Sequence, residues 1–252
     1  GDGWHAPVIQ VDDHALQGKT LAGGGIIGEE ARHVVIVTRQ GKVKRLKVED
    51  LPTSMALWAR VIGLRKGDSV LGVGLDGGGH YEVMIFTRKG QAIRFKTGDV
   101  NPQQSPTAQG VAAIKIGKGD ELIAAYVFNP ELAGHVVIAS EKGWIKRVPI
   151  GEWPVQGRAG KGVQSLATTA TTGDVAAATV TRSDDNYVDF ATGDGYRLRF
   201  RYEILPEENR RNRGVQIPVL LKKEDRKDKT TMKDVGQLDR AVALSTTYNY
   251  RA

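Results

Sequence analysis

The stretch HVVIVTRQGKVKRLKVEDL, from His33 to Leu51, decides the fold, because it returns three more times along the chain. The later copies are HYEVMIFTRKGQAIRFKTGDV from His80, HVVIASEKGWIKRVPIGEW from His135 and NYVDFATGDGYRLRFRYEIL from Asn186. Each has a short apolar run, then a turn glycine (Gly41, Gly90, Gly143, Gly195), then an arginine four residues on (Arg45, Arg94, Arg147, Arg199). An anchor valine follows each glycine after 20 or 21 residues, at Val61, Val111, Val163 and Val215. The copies start 47, 55 and 51 residues apart. A fixed period near that length marks one supersecondary unit stacked several times, as in propellers and solenoids.

Each unit reads as four short strands. The runs Val34–Thr38, Val83–Thr87 and Val136–Ala139 are β-branched and apolar, and they end at Arg-Gln-Gly, Arg-Lys-Gly and Glu-Lys-Gly turns. Glycine at such turns supplies positive φ. The next strand alternates: over Lys42–Val48 the order is Lys, Val, Lys, Arg, Leu, Lys, Val, and Leu198 and Phe200 separate Arg197, Arg199 and Arg201. Alternation of period two predicts one buried face and one wet, cationic face. A third strand is expected at each anchor valine, as in Val111–Ile116 and Val163–Leu166. A fourth follows a Gly-Asp signal at Gly67-Asp68, Gly119-Asp120 and Gly173-Asp174. Four strands in about fifty residues is one propeller-type blade.

The ends are less regular. Residues 1–32 hold a strand candidate at Val8–Val11 and three consecutive glycines from Gly23, and read as a linker or part of a further blade. The blade array is expected over residues 33–244, with 245–252 as a tail. The run KKEDRKDKTTMKD from Lys222 lacks apolar periodicity and reads as a solvated loop. Val235–Leu244 reads as a closing strand or strand pair, and Leu51–Arg60 has modest helical character. The opening GDGWHAPVIQ is no signal peptide and lacks an initiator Met, as expected of an excised domain.

With 36 Lys and Arg against 29 Asp and Glu, the chain carries a formal charge of +7. That balance favours a polyanionic partner. The repeat places the same cations at the same point of every unit, so a basic track around the array is expected. With no cysteine there can be neither a disulfide framework nor a thiolate metal site. No apolar stretch approaches the ~20 residues of a membrane helix. No P-loop, Ser-His-Asp set or metal-holding carboxylate cluster is evident, so neither catalysis nor a cofactor is expected. His33, His80 and His135 occupy equivalent positions, but equivalent positions of different blades lie far apart, which speaks against a shared metal site. Trp58, Trp144 and Trp153 are too sparse for a base-stacking platform and read as packing residues.

These residues resemble a family: the C-terminal domain of the A subunit of bacterial type IIA topoisomerases, DNA gyrase and topoisomerase IV. The resemblance covers roughly residues 33–244 and rests on the VVIVTRQGKVKR type of strand–turn–strand repeated at the right pitch. Its more specific element is Gln156-Gly157-Arg158-Ala159-Gly160-Lys161-Gly162, which is similar to the gyrase box QRRGGKG at Gln156, Arg158, Gly160, Lys161 and Gly162. The end, Val235 to Val242, resembles the closing segment of the topoisomerase IV domain. The resemblance implies an all-β, propeller-like β-pinwheel of about five four-stranded blades that share strands with their neighbours. It implies a basic rim that binds and bends double-stranded DNA, with no cofactor. The parent would be a cytoplasmic, nucleoid-associated, ATP-dependent enzyme, with the catalytic N-terminal region of the same subunit and an ATPase B subunit as partners. The isolated domain is expected to be a monomer, away from membranes.

One departure from the gyrase pattern matters. In gyrase the intact box lies in the first repeat, whereas here Ser54 to Arg60 holds none. The second repeat keeps Gln104 and Gly110, and the fourth keeps Arg210 and Gly214 with Arg213 in place of Lys. The best box is therefore third, which fits a topoisomerase IV-like domain better than full gyrase-style wrapping. The expected DNA contacts are Gln156, Arg158, Gly160, Lys161 and Gly162 of the box, Arg210, Arg211 and Arg213 of the fourth repeat, and the strand cations Lys42, Lys44, Arg45, Arg94, Lys146, Arg147, Arg197 and Arg199. Glycines beside Arg and Lys would let the backbone approach a phosphate. The alternative is a propeller that binds a protein partner, with the charge incidental.

Overall fold

A computed structural model describes residues 27–51, 59–183, 187–192, 197–217 and 241–247, with backbone alone for 191, 192, 197, 198 and 241–247. Fifteen strands are seen: β1 His33–Thr38, β2 Lys42–Lys47, β3 Val70–Asp76, β4 Glu82–Thr87, β5 Gln91–Lys96, β6 Val111–Ala112, β7 Leu122–Phe128, β8 Ala133–Ser140, β9 Trp144–Pro149, β10 Val163–Gln164, β11 Val175–Arg182, β12 Tyr187–Thr192, β13 Arg197–Arg201, β14 Val215–Gln216 and β15 Ala241–Thr247. The chain is all-β. Gly41, Gly90 and Gly143 close the first three hairpins at φ between 75° and 83°, a region open to glycine at little cost.

The strands form four antiparallel sheets, ordered β3-β1-β2-β6, β7-β4-β5-β10, β11-β8-β9-β14 and, with three strands among the described residues, β15-β12-β13. The outermost strand of each complete sheet comes from the following repeat. Val111 pairs with Val43, Val163 with Ala92 and Val215 with Ile145. Val111, Val163 and Val215 thus begin donated strands, and the covalent repeat is offset from the spatial blade. This is the strand sharing of a β-pinwheel. The possible strand at Val8–Val11, the helical stretch after Leu51 and the charged run after Lys222 lie outside the described residues.

The core lies between consecutive sheets. Val83 and Ile85 pack towards Val35, Val37 and Val43 of the first sheet, while their neighbours Met84 and Phe86 pack towards Val136, Ile138 and Trp153 of the third. A third cluster joins Val137, Ala139 and Ile145 to Val188, Phe190 and Phe200. Inner strands meet closely: a Cβ at Gly72 would lie 2.6 Å from the Ala125 carbonyl of β7. A sheet sandwiched between two others has no wet face. The expectation of one buried and one cationic, wet face on the second strand is overturned in the first two repeats, where Val43 to Leu46 and Ala92 to Phe95 are all buried, and holds in the fourth, where Arg199 and Arg201 are exposed on either side of buried Phe200.

The first two Gly-Asp signals work as clasps on the hairpin turns. Asp68 Oδ1 accepts from the amides of Gln40 and Ser69, and Asp120 Oδ1 accepts from those of Lys89 and Glu121. After the second hairpin strand each repeat makes one 3-10 turn: Val48–Asp50, Thr97–Asp99, Ile150–Glu152 and Tyr202–Ile204. The residues that end the last three, Val100, Trp153 and Leu205, are each 1% exposed and pin the turn to the core.

Candidate nucleic-acid interface

The segment that carries the box follows the same route in the second, third and fourth repeats. It leaves the 3-10 turn, joins the outer edge of the preceding sheet, bulges outward and returns as the donated strand. In the second repeat the Gln103 amide donates to the Arg45 carbonyl, and pairing resumes at Val111 opposite Val43. In the third, the Gln156 amide donates to the Arg94 carbonyl and pairing resumes at Val163 opposite Ala92. In the fourth, Glu208 donates to the Arg147 carbonyl and Val215 meets Ile145. Each bulge thus spans one strand residue: Lys44, Ile93 or Lys146.

Those residues fill the bulges from inside. Lys44 is 0% exposed, and its Nζ donates to the carbonyls of Val61 at 2.7 Å and Ser105 at 2.6 Å. Lys146, also 0% exposed, donates to the carbonyls of Asn209, Arg210 and Asn212 at 3.2, 2.7 and 2.5 Å. Burial lowers the pKa of Lys44, and pushes that of Lys146 down to about 8. In the middle bulge Ile93 lies under the box, with its Cδ1 3.6 Å from where a Cβ on Gly160 would stand. Expected as phosphate contacts, Lys44 and Lys146 are instead internal props.

The repeated arginine is likewise internal in the first two blades, at 7% exposure for Arg45 and 9% for Arg94. Its acidic partner comes from a different place in each blade. Arg45 pairs with Asp76 at 2.8 Å, and Arg94 with Glu82 at 2.5 Å. Arg147 lies 3.8 Å from Glu207 and over the Tyr202 ring, and Arg199 chelates Asp189 through two bonds of 2.6 and 3.0 Å. Asp76 titrates below its usual range. Burial opposes this, but the Gly79 amide, the Arg45 charge and the Gly78 amide outweigh it. Arg45 and Arg94 are thus removed from the basic track because their charges are neutralised inside the blades. Arg147 is half-buried, Arg199 is exposed but paired, and the side chain of Arg197 lies outside the described residues.

The bulges carry exposed cations of their own. Lys161, Arg211 and Arg213 are exposed, and Lys161 and Arg211 have no side-chain partner among the described residues. Arg213 lies 4.5 Å over the Trp144 ring. Lys42 and Gln156 are half-buried. Arg158 and Arg210 sit on the same bulges, but their guanidinium groups turn inward onto carbonyls. Two cations missed in the sequence join this rim. The exposed Lys115 donates its amide to the Gly160 carbonyl beside Lys161, and Arg65 Nε donates to Gln109 Oε1 on the second-repeat bulge at 2.9 Å. Both stand four residues after an anchor valine, a spacing that was there to be read.

The box glycines divide. Gly162 has φ +74°, and a Cβ there would overlap the Ala92 carbonyl; Gly110 and Gly214 are placed alike over Val43 and Ile145. Those glycines serve the return to the donated strand. Gly157 has nothing within 4 Å of a Cβ, so its backbone is open to the outside. His33 and His135 face separate partners, Arg45 with Asp76 and Glu207 respectively. Among the described residues no cluster of His, Asp and Glu is arranged to hold a metal ion, and no helix is long and apolar enough to cross a membrane. Trp153 is core, its Nε1 donating to Ser165 Oγ.

Comparison with known proteins agrees with this geometry. A family model described as DNA gyrase C-terminal domain, beta-propeller matches residues 32–75, 81–129 and 134–182. The gyrase A subunit of Kosmotoga olearia is 32% identical over 189 residues, and that of Thermotoga maritima is 32% identical over the same length. Each match covers 75% of this chain but 23% of the relative, so the chain spans about a quarter of those subunits. Among solved structures, the C-terminal domain of DNA topoisomerase IV superposes with a TM-score of 0.73 at 18% identity, covering 88% of this chain and 64% of that one. The DNA gyrase A C-terminal domain gives 0.64 at 23% identity, covering 74% and 61%. The chain belongs to the DNA gyrase C-terminal domain, beta-propeller family.

Proposed function

We propose that this chain is the DNA-binding C-terminal domain of a bacterial type IIA topoisomerase A subunit, and that duplex DNA runs along its outer bulges. The observation that carries the reading is the pair of exposed cations at the same point of successive bulges, Lys161 and Arg213, each two residues before its anchor valine, with exposed Lys115 and Arg211 beside them. Other exposed cations, such as Arg39, Lys66, Lys96 and Lys118, lie on turns and strand ends, whereas the bulges carry theirs at a repeated point. Phosphate contacts of this kind position a duplex without reading its bases. Bending a site of 20–30 bp costs roughly 1–6 kcal/mol, which several such contacts along a curved edge offset. The fully cationic bulges are the third and fourth, which supports an arc that bends DNA rather than a complete wrap. In the whole enzyme the arc would present a DNA segment to the catalytic N-terminal region, with an ATPase B subunit completing the cytoplasmic, nucleoid-associated assembly. The domain itself carries out no chemistry and acts as a monomer.

The test is equilibrium binding to duplexes of unrelated sequence over a range of salt. If ~6–10 phosphates are neutralised, the log–log salt slope is about −5 to −9 for every sequence. A flat salt dependence, or affinity confined to one sequence, refutes the reading.

A further inference from the structure

We propose that Arg158 and Arg210 are positioning residues that lock the angle between consecutive blades. They stand at the same point of their bulges, four residues before Gly162 and Gly214. Their guanidinium groups make the same pair of bonds. Arg158 Nε donates to the Asp99 carbonyl at 3.1 Å and Nη1 to the Ala112 carbonyl at 3.0 Å. Arg210 Nε donates to the Glu152 carbonyl at 2.9 Å and Nη1 to the Gln164 carbonyl at 2.6 Å.

The four acceptors reveal what is being joined. Asp99 ends the 3-10 turn of the second sheet, whereas Ala112 lies on β6, the outer strand of the first sheet. Glu152 ends the turn of the third sheet, and Gln164 lies on β10 of the second. Each guanidinium therefore bridges two blades at the rim, where a small change of angle moves the outer surface furthest. Its rigid fork reaches two carbonyls at once, which a lysine ammonium on a flexible stem does not reproduce. The same turns are held from the other side by the strand arginines. Arg45 Nη1 lies 3.5 Å from the Val100 carbonyl, and Arg94 Nη1 donates to the carbonyls of Ile150 and Trp153 at 2.9 and 3.1 Å. Both joints between the three complete sheets are gripped in this way. The equivalent residue of the second-repeat bulge is Pro106, which has no such donor, and that bulge faces no described preceding blade.

The joint-locking role stands on the protein geometry; its consequence for DNA curvature rests on the DNA-binding reading above. The test therefore begins without DNA. The chain has no cysteine, so spin labels at Lys47→Cys and Lys96→Cys report one distance across the first joint. Both Arg158→Ala and Arg158→Lys should broaden and shift the distance distribution, whereas Lys161→Ala should leave it unchanged. With DNA, Arg158→Lys should reduce the bend angle while keeping the salt slope, and Lys161→Ala should reduce the slope. An unchanged distribution in folded Arg158→Ala and Arg158→Lys overturns the proposal, as does full restoration by lysine of what alanine loses. Loss of DNA binding by the parent protein would refute the DNA reading and leave the label result to stand alone.

Discussion

Replacing Lys146 by methionine tests the internal-prop reading, because the stem is kept and only the ammonium is lost. In the folded chain that ammonium is out of contact with water and donates to three loop carbonyls. Deleting a buried hydrogen-bonded charge and leaving its partners costs on the order of 2–4 kcal/mol. Loop carbonyls that can turn to water put this case at the lower end, about 2 kcal/mol at pH 7. The pH dependence adds a sharper signature. Burial brings the folded pKa of Lys146 down to about 8 from its ordinary 10.5, so between those values the unfolded chain binds more protons than the folded one. Wild-type stability therefore carries a penalty that is complete below about pH 8 and is relieved as the pH rises towards 10.5. The gain is at most about 3 kcal/mol. The methionine variant lacks this term, so the stability difference between the two proteins should widen with pH across the window. Urea unfolding of both, at intervals from pH 7 to 10, measures it while common titrations cancel. A difference that stays constant with pH, or a variant as stable as the parent at pH 7, refutes the reasoning.

Two other outcomes follow from the same geometry. Gly162→Ala should destabilise by roughly 1–3 kcal/mol in thermal unfolding, since it meets both a positive φ and the Ala92 carbonyl, while Gly157→Ala should fall within about 0.5 kcal/mol of the parent. Asp76→Ala should cost about 3–5 kcal/mol by chemical denaturation, because it leaves Arg45 buried without its carboxylate and frees the amides of Gly78 and Gly79.

Much of the fold was legible in the residues. The turn glycines and the apolar first strands each act locally, and the period fixes how often they recur. Burial was not legible, because it depends on neighbours that no single repeat contains. A strand such as KVKRLK alternates like a surface strand, yet a sheet flanked by two others, or covered by its own rim loops, has two dry faces. Lys44 and Lys146 are accepted there because a bulge from the next repeat offers carbonyls, and only the fold brings the two together. The arginine repeat looked like an external motif for the same reason. Its acids, Asp76, Glu82, Glu207 and Asp189, come from unlike positions, so no common spacing announced the pairing. The rim was half visible. Lys161, Arg211 and Arg213 were expected and stand exposed, while Lys115 and Arg65 were overlooked although their spacing from Val111 and Val61 is the same.

The central claim is that DNA meets the bulges rather than the hairpin strands. The most direct measurement compares duplex affinity and salt slope for the parent, for Lys161→Glu, Arg211→Glu and Arg213→Glu combined, and for Arg32→Glu, an exposed arginine before β1, away from the bulges. If those three side chains meet phosphates, the combined variant should lose more than about tenfold in affinity, and its slope should shrink by about 3, while Arg32→Glu stays close to the parent. A combined variant that remains folded and binds with the parent's affinity and slope would contradict the account and place the DNA elsewhere on the molecule.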